Sequence, residues 1–375
     1  MNMVENNKAF KIFMKNFDLY LFILTIVTSI FGIVLIASAT NSYENNMKFI
    51  LVQTAALVIG ILLIILIIKL DYEYIGGYHK WIYAFNILAL VIVLFIGEGE
   101  QEWGGKSWIR FGSIGIQPAE IVKIGFIITF AKHLEAIKEE LNKMKTLFYL
   151  LLHAGILIGL ILLQPDLGTA MVFVFIFAGM IFVCGIHYRY IFAAIAAFAA
   201  FAPIAWFFLL ENYQKTRILV FLNPESDPLN AGYHIIQSKI SVGSGQIFGR
   251  GLFRGIQTQM GFLPEKHTDF IFAVVGEELG LIGSILVLLL LVLIIWRCIS
   301  TAQIAKDDFG SFICIGVASM LIFQTFENIG MCIGLTPITG LPLPFISYGG
   351  SSLMTNLAAI GLVINVRMRR RVINF

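Results

Sequence analysis

Between residues 257 and 283 a polar segment re-enters an apolar run, and ionisable side chains crowd the junction. Glu265, Lys266, His267 and Asp269 precede the run, and Glu277 and Glu278 lie inside it. Charges this close to hydrocarbon are costly and by default mark function. A carboxylate in this position can act as a general base on an acceptor hydroxyl. Asp269, at the mouth of the run, is the first candidate, and Glu265 is the second. His267 can orient Asp269 or bind a cation. The competing reading is a membrane-surface anchor with helix capping.

Other residues could serve the same chemistry. Glu120 and Lys123 are three apart, so on a helix they share a face. They read either as a pair lining a cavity, with Lys123 free to attract an anionic headgroup, or as a structural ion pair between helices. Trp108 stands near Lys106 and Arg110, after Gly104-Gly105. Its indole could stack on a sugar or an isoprenoid, but spacing alone favours a residue of the interfacial belt. Segment 211–268 carries Lys215, Arg217, Lys239, Arg250, Arg254 and Lys266 among many glycines. Basic side chains with exposed backbone amides suit a phosphate or pyrophosphate. The alternative is a membrane-hugging amphipathic loop, with Ile235 to Val242 in the interface. Ser347 and Tyr348 join the outer polar set. No nucleotide-binding glycine motif is present.

The elements that position these groups are read from composition. Hydrophobic residues make up 58% of the chain and charged residues 13%. Soluble domains hold about 45–50% and about 25%. The chain is therefore an all-α polytopic membrane protein, one unit over 1–375 with no dividing linker. A span needs about 20 apolar residues. Ten runs qualify, near 17–39, 49–68, 80–97, 117–133, 147–163, 168–186, 190–210, 269–296, 309–334 and 350–366. The first ends in Ala37-Ser38-Ala39 but exceeds a secretory core, so it reads as an uncleaved span. Gln164-Pro165-Asp166-Leu167-Gly168 is a tight turn with Asp166 capping the next helix. The Gly155/Gly159 pair reads as ordinary helix packing. Cys184, Cys298, Cys314 and Cys332 read as apolar packing residues, and scattered histidines argue against a zinc site.

Lysine and arginine orient the bundle. Lys8, Lys11, Lys15, Lys69, Lys80, Lys132, Lys138, Lys143, Lys145, Arg189, Arg297, Lys306, Arg367, Arg369, Arg370 and Arg371 fall on one side, against Lys48, Lys106 and Arg110 in the short loops opposite. The basic side faces the cytoplasm. Both termini are then inside, and a large loop, 211–268, is extracellular between the seventh and eighth spans. Arg369-Arg370-Arg371 is a topogenic anchor and not a nucleic-acid site. Polar residues concentrate in the outer halves of the spans, which suggests a cavity open to the outer leaflet. No ATP is available outside, so the substrate must arrive activated. A sugar on a lipid pyrophosphate fits, with its tail in the bilayer and its leaving group against basic residues. A divalent cation, Mg or Mn, could assist the leaving group, but no ligand set is legible.

Several segments carry a family likeness. They are Gln117-Pro118-Ala119-Glu120 with Lys123; Gln164 to Ala170; Asn223-Pro224 with Asp227-Pro228; Gly232-Tyr233-His234 with Gln237-Ser238; Leu263 to Phe270; and Pro344 to Ser352. Over essentially its whole length the chain resembles the SEDS proteins (shape, elongation, division and sporulation). Gly232-Tyr233-His234 and Gly255-Ile256-Gln257 look more like the elongation branch than the division branch. Ala119 stands in place of the family's usual serine, and Lys106-Ser107 where many members have arginine before the tryptophan.

The resemblance implies a peptidoglycan glycosyltransferase in a bacterial cytoplasmic membrane. It would polymerise lipid II on the outer face, release undecaprenyl pyrophosphate, and work with a class B penicillin-binding protein. It implies that Asp269 is the essential aspartate, that Glu120 and Lys123 form the cavity pair, and that Trp108 is the important loop tryptophan. Competing expectations are a lipid II flippase, a non-catalytic scaffold, and the division or sporulation paralogue.

Overall fold

In a bilayer a backbone has no hydrogen-bond partner except itself, so each long apolar run folds as a helix. The computed structural model describes residues 17–98, 107–111, 114–209, 212–228 and 231–370. Lys8, Lys11, Lys15, Gly104-Gly105, Lys106 and Arg371 lie outside the described residues.

Helices α1 (Leu19–Ala39), α2 (Asn46–Lys69), the short α3 (Tyr72–Gly77) and α4 (His79–Ile96) come first. A two-stranded hairpin follows, β1 (Ile109–Phe111) against β2 (Ile114–Ile116). Then come α5 (Pro118–Ile137), α6 (Met144–Leu162), α7 (Leu167–Cys184) and α8 (Tyr188–Ile204). The expected 211–268 loop contains α9 (Asn212–Leu222), α10 (Ala231–Ser244) and α11 (Ile256–Gln259). The chain finishes with α12 (Ile271–Gln303), α13 (Asp308–Ile333) and α14 (Gly350–Met368). It is an all-α polytopic membrane protein, the small hairpin aside.

Nine of the expected runs are helices long and apolar enough to cross a membrane among the described residues. The remaining one, 117–133, is α5, which is 20 residues long and carries Glu120, Lys123, Lys132 and Glu135. Its charge is tolerated because most of α5 is buried against α4, α13, α14 and α7. The centre of the bundle is α13 and α14, and α14 packs most extensively on α2. By contrast, α8 has no buried residue. At the end of the bundle where α12 finishes, buried Asp18 accepts from Arg297 of α12 at 2.8 Å and pairs with Arg367 of α14 at 3.0 Å, while also capping α1.

Ile235 to Val242 lies in α10, which packs on α12 and α13, with Ile235 and Ser238 buried and Ser238 Oγ donating to the Cys332 carbonyl at 2.7 Å. One expectation needs correction. A methyl group added to Gly155 or Gly159 would meet no atom within 4 Å, so these glycines form no packing face inside the chain. The turn after α6 behaves as expected: Asp166 Oδ1 accepts from the Thr169 amide at 2.9 Å and caps α7. All four cysteines are buried and unpaired.

Helix α12 is broken at Gly280, where φ is 65° and ψ is −159°. The break frees backbone groups, and the 246–251 segment takes them up. Arg250 and Gly251 amides donate to the Glu277 and Glu278 carbonyls at 3.0 and 2.9 Å, and Leu281 and Ile282 amides donate to Gln246 and Ile247 at 2.8 and 3.2 Å. A Cβ on Gly280 would stand 2.4 Å from the Gly249 nitrogen. Gly280→Ala should therefore lower stability by at least about 1–3 kcal/mol, the cost of the backbone conformation alone. Thermal unfolding in detergent checks this, and an unchanged midpoint would contradict it.

Candidate active site

Asp269 sits on a short, heavily tethered segment just before α12. Its local shape comes from Glu265, at φ 43°, whose carbonyl accepts from the Thr268 and Phe270 amides. Neighbouring elements hold the rest. Ser347 Oγ donates to the Thr268 carbonyl at 2.6 Å and accepts from the Leu343 amide at 2.8 Å. The Tyr348 amide donates to the His267 carbonyl at 2.8 Å. Asn328 Nδ2, on α13, donates to the carbonyls of Asp269 and Leu341, both at 2.8 Å. Gln53 of α2 supports the other side, bonding the Ser347 carbonyl and the Gly349 amide. Gly340, at φ 75°, lets the backbone come close to the carboxylate: a Cβ there would lie 3.4 Å from Asp269 Oδ2.

The electrostatics suit a base. Burial first, and then the negative charge of Glu265, push the Asp269 carboxyl up to about 7, while Arg217 pulls the other way. Arg217 is anchored from α9 by donating to the Ile338 carbonyl at 3.4 Å. Glu265 accepts from the exposed Thr268 Oγ1 contact at 3.2 Å. A base with this affinity for protons is half ionised near neutral pH, where proton transfer is most effective.

Several expected site residues take supporting places instead. His267 makes no hydrogen bond to Asp269. Its ring packs edge-on against Phe49 at 4.9 Å and Tyr43 at 5.8 Å, and beside Tyr348 at 5.4 Å. Burial lowers its proton affinity, against the opposing charge of Glu265. Lys266 is buried, donating to the Thr258 carbonyl at 2.6 Å and Ser42 Oγ at 2.7 Å, with Tyr43 beneath its ammonium. The hydroxyl of Ser347 is fully committed to backbone, and the Tyr348 ring belongs to the aromatic cluster.

Glu277 and Glu278 are fully buried and act as a strap. Glu277 accepts from the Gln257 amide at 2.7 Å and from both the amide and hydroxyl of Thr258 at 3.0 and 2.7 Å. Glu278 accepts from Ser38 Oγ and from Gln259 Nε2. They fix α11, whose Thr258 carbonyl holds Lys266, three residues before Asp269.

Glu120 and Lys123 form a buried ion pair at 2.8 Å within α5, not between helices. The second Glu120 oxygen has no partner, nor do buried polar atoms of Gln324, Glu327 and Asn356 on the adjoining α13 and α14. Unpaired buried polar atoms are expensive, so this layer is suited to a polar ligand. Glu327, a carboxylate within a span, belongs to the polar set that the sequence places around a cavity, although it was not singled out as a site residue. No direct contact links the pair to Asp269 among the described residues. Trp108 bridges Glu98 through both backbone groups, and its ring lies against Gly115 on β2. Arg110 is exposed on β1, and β2 packs on α14. Lys215 is half-buried on α9. Among the described residues no group of three or more His, Cys, Asp or Glu could hold a metal.

Residues 18–372 match the family described as cell cycle protein, which groups FtsW, RodA and SpoVE. The chain belongs to this family. It is 38% identical over 317 residues to peptidoglycan glycosyltransferase MrdB of Escherichia coli K12, covering 84% of each chain. It is 37% identical over 358 residues to stage V sporulation protein E of Bacillus subtilis, covering 93% and 96%. Among solved structures, a chain of a peptidoglycan synthase complex that coordinates polymerisation and crosslinking superposes with TM-score 0.80 at 32% identity, covering 94% and 97%. Rod-shape-determining protein RodA of Thermus thermophilus gives 0.70 at 28% identity, with the same coverage.

If Asp269 is the base, the initial rate of glycan formation should rise with pH along a limb centred near about 7. Glu265→Gln should move that limb to lower pH and Arg217→Gln to higher pH, because the first removes a charge that holds the proton and the second a charge that expels it. A pH–rate profile of the three proteins checks the signs, and a limb unmoved by both substitutions would rule out Asp269 as its source.

Proposed function

We propose that this chain is a peptidoglycan glycosyltransferase that polymerises lipid II on the outer face of the cytoplasmic membrane. The observation that carries the reading is Asp269: a carboxylate tethered through its backbone by α13 and the 341–348 segment, poised near neutrality, in the charged field of Arg217. Family membership over most of the chain supplies the substrate class.

The chemistry follows from the groups present. Asp269 removes the proton from the 4-hydroxyl of the acceptor sugar as that oxygen attacks the donor's anomeric carbon. The bond to undecaprenyl pyrophosphate breaks, and the anomeric centre inverts, from an α-linked donor to a β-1,4 glycan. Arg217, with Lys215 and the exposed Arg110, draws the anionic groups to this end of the bundle. Trp108 offers an indole face to a sugar or prenyl unit, and the Glu120–Lys123 layer can take a polar headgroup. The aromatic cluster around His267 keeps the base segment rigid. Magnesium and manganese ions keep several waters and need only one or two carboxylates besides substrate phosphates. The hard oxygens of Glu265 and of Asp269 fit such an ion, which would neutralise the departing pyrophosphate.

In this reading α5 is a tenth span and both termini are cytoplasmic, as the lysine and arginine bias requires. The partner is a class B penicillin-binding protein; the solved peptidoglycan synthase complex supports this. Placement in the elongation branch rests on Gly232-Tyr233-His234 and Gly255-Ile256-Gln257, since identity to MrdB and to the sporulation protein is nearly equal.

Purified protein given lipid II should make glycan polymer, and Asp269→Asn should abolish it, a loss on the order of the 10²–10⁴-fold attributed to general-base catalysis or greater. The Asn variant should keep its thermal unfolding midpoint. Polymer formation by that variant at the normal rate would refute the assignment, and lipid II scrambling without polymer would replace it with a flippase.

A further inference from the structure

The opposite end of the bundle contains a cavity that the proposed reaction does not use. Helix α13 begins at Asp308, where Lys138, just after α5, pairs with its carboxylate at 2.7 Å. It reaches Asp269 through Asn328, about 30 Å further along at 1.5 Å per residue. At the Lys138 end, α4, α5 and α6 enclose a cavity of about 470 Å³. Its polar wall includes His133, His153, Lys145 and Thr146, and its apolar wall includes Leu152 and Ile156.

The polar wall has the character of an anion site. The Nδ1 atoms of His133 and His153 are 3.0 Å apart, with the rings stacked at 25°. His153 Nε2 lies 3.2 Å from Thr129 Oγ1, and Tyr83 donates to the His153 carbonyl at 2.9 Å. His133 Nε2 is left without a hydrogen-bond partner among the described residues. Glu140 also lines the cavity, but Lys143 pairs with it at 2.6 Å. Lys132 and Lys138 are likewise matched, by Glu135 and Asp308. Lys145 makes no ion pair among the described residues; it feels the charge of Glu140, which Lys143 already pairs, so these three side chains leave one positive charge over. The amino end of α6 adds to it, since Lys143 at the cap position makes no side-chain cap hydrogen bond. A helix amino terminus attracts anions through its free amides and dipole.

The surroundings determine what kind of anion fits. Met144, Phe148 and Leu151 of α6 are exposed apolar residues outside the lining, and Tyr149, Leu152 and Ile156 in the lining are themselves partly exposed. A ligand entering here passes hydrocarbon, and Leu152 and Ile156 continue that surface inward. Basic pockets between membrane helices on the cytoplasmic side bind anionic lipid headgroups. We propose that this cavity holds the phosphate headgroup of an anionic phospholipid from the leaflet opposite Asp269. The phosphate lies against Lys145, His133 and the amino end of α6, and the acyl chains run along Leu152 and Ile156.

The test is lipid retention by the full chain, read by native mass spectrometry after incubation with mixtures of phosphatidylglycerol and phosphatidylcholine. Wild-type protein should keep phosphatidylglycerol in preference. Lys145→Gln should reduce that retention about fivefold, the equivalent of about 1 kcal/mol for one cation at a lipid surface, and His133→Gln should reduce it as well. Lys69→Gln, which removes an exposed lysine outside the cavity, should leave it unchanged. Lys145→Gln should still polymerise lipid II in detergent, being remote from Asp269. Equal retention of both lipids by wild type, unchanged retention in Lys145→Gln, or an equal loss in Lys69→Gln would overturn the proposal. Inorganic phosphate displacing the lipid from wild type would assign the site to a soluble phosphate and overturn the lipid source.

Discussion

A backbone carbonyl inside a membrane must find a donor, and at Gly280 this constraint shapes the end of the protein that carries Asp269. The break in α12 releases the carbonyls of Glu277 and Glu278, and the 246–251 segment supplies the amides that take them. The carboxylates of the same two residues capture the next turn, α11, through Gln257, Thr258 and Gln259. Thr258 then holds Lys266, and Lys266 fixes the segment that ends in Asp269. One helix break thus organises the chain from the 246 turn to Asp269. Glu277, Glu278, Thr258 and Lys266 are buried and hydrogen-bonded, the condition under which a polar network rigidifies rather than destabilises.

The Asp269 segment depends equally on two elements that close from the opposite side. Asn328 comes from the buried face of α13, and Ser347 from the segment before α14. Both hold backbone and leave the Asp269 carboxylate for chemistry. Its proton affinity is set by burial and by a neighbouring carboxylate, Glu265, against Arg217 on a separate helix. The balance therefore joins parts of the chain that are far apart in sequence, and movement of α9 relative to α12 would change the proton affinity of Asp269.

The sequence was most informative where physics is one-dimensional. Runs of apolar residues located the membrane helices because length and hydropathy alone decide insertion. Asp166 as a cap was legible because capping is local. Asp269 stood out as a charge at a membrane boundary, and the family motif chose it over Glu265. What was not legible depends on tertiary contact. The hairpin at Trp108 rests on strands of three residues, too short for a pattern. Helices α9, α10 and α11 were hidden in a segment whose glycines and charges read as a loop. His267 and Ser347 look in the sequence like ligand-binding residues among the polar side chains near Asp269. Only the fold shows one ring wedged among Phe49, Tyr43 and Tyr348, and one hydroxyl consumed by backbone. The Glu120–Lys123 pair was legible as a pair but not as an intrahelical one, because both readings share the same spacing.

The buried Asp18 cluster has a consequence for how the molecule is made. Asp18 enters the bilayer region with the first helix, but its partners Arg297 and Arg367 belong to α12 and the last turn of α14. At about 5–20 residues per second, synthesis of the intervening chain takes on the order of tens of seconds. Until α12 is made the carboxylate at the head of α1 has neither guanidinium partner, and until the end of α14 it has only Arg297; α2 waits for α14 as well. The bundle is therefore sealed by its final segment. A ribosome that stalls in the last helix would leave behind an inserted but unlocked chain, its first acid held by one of its two arginines.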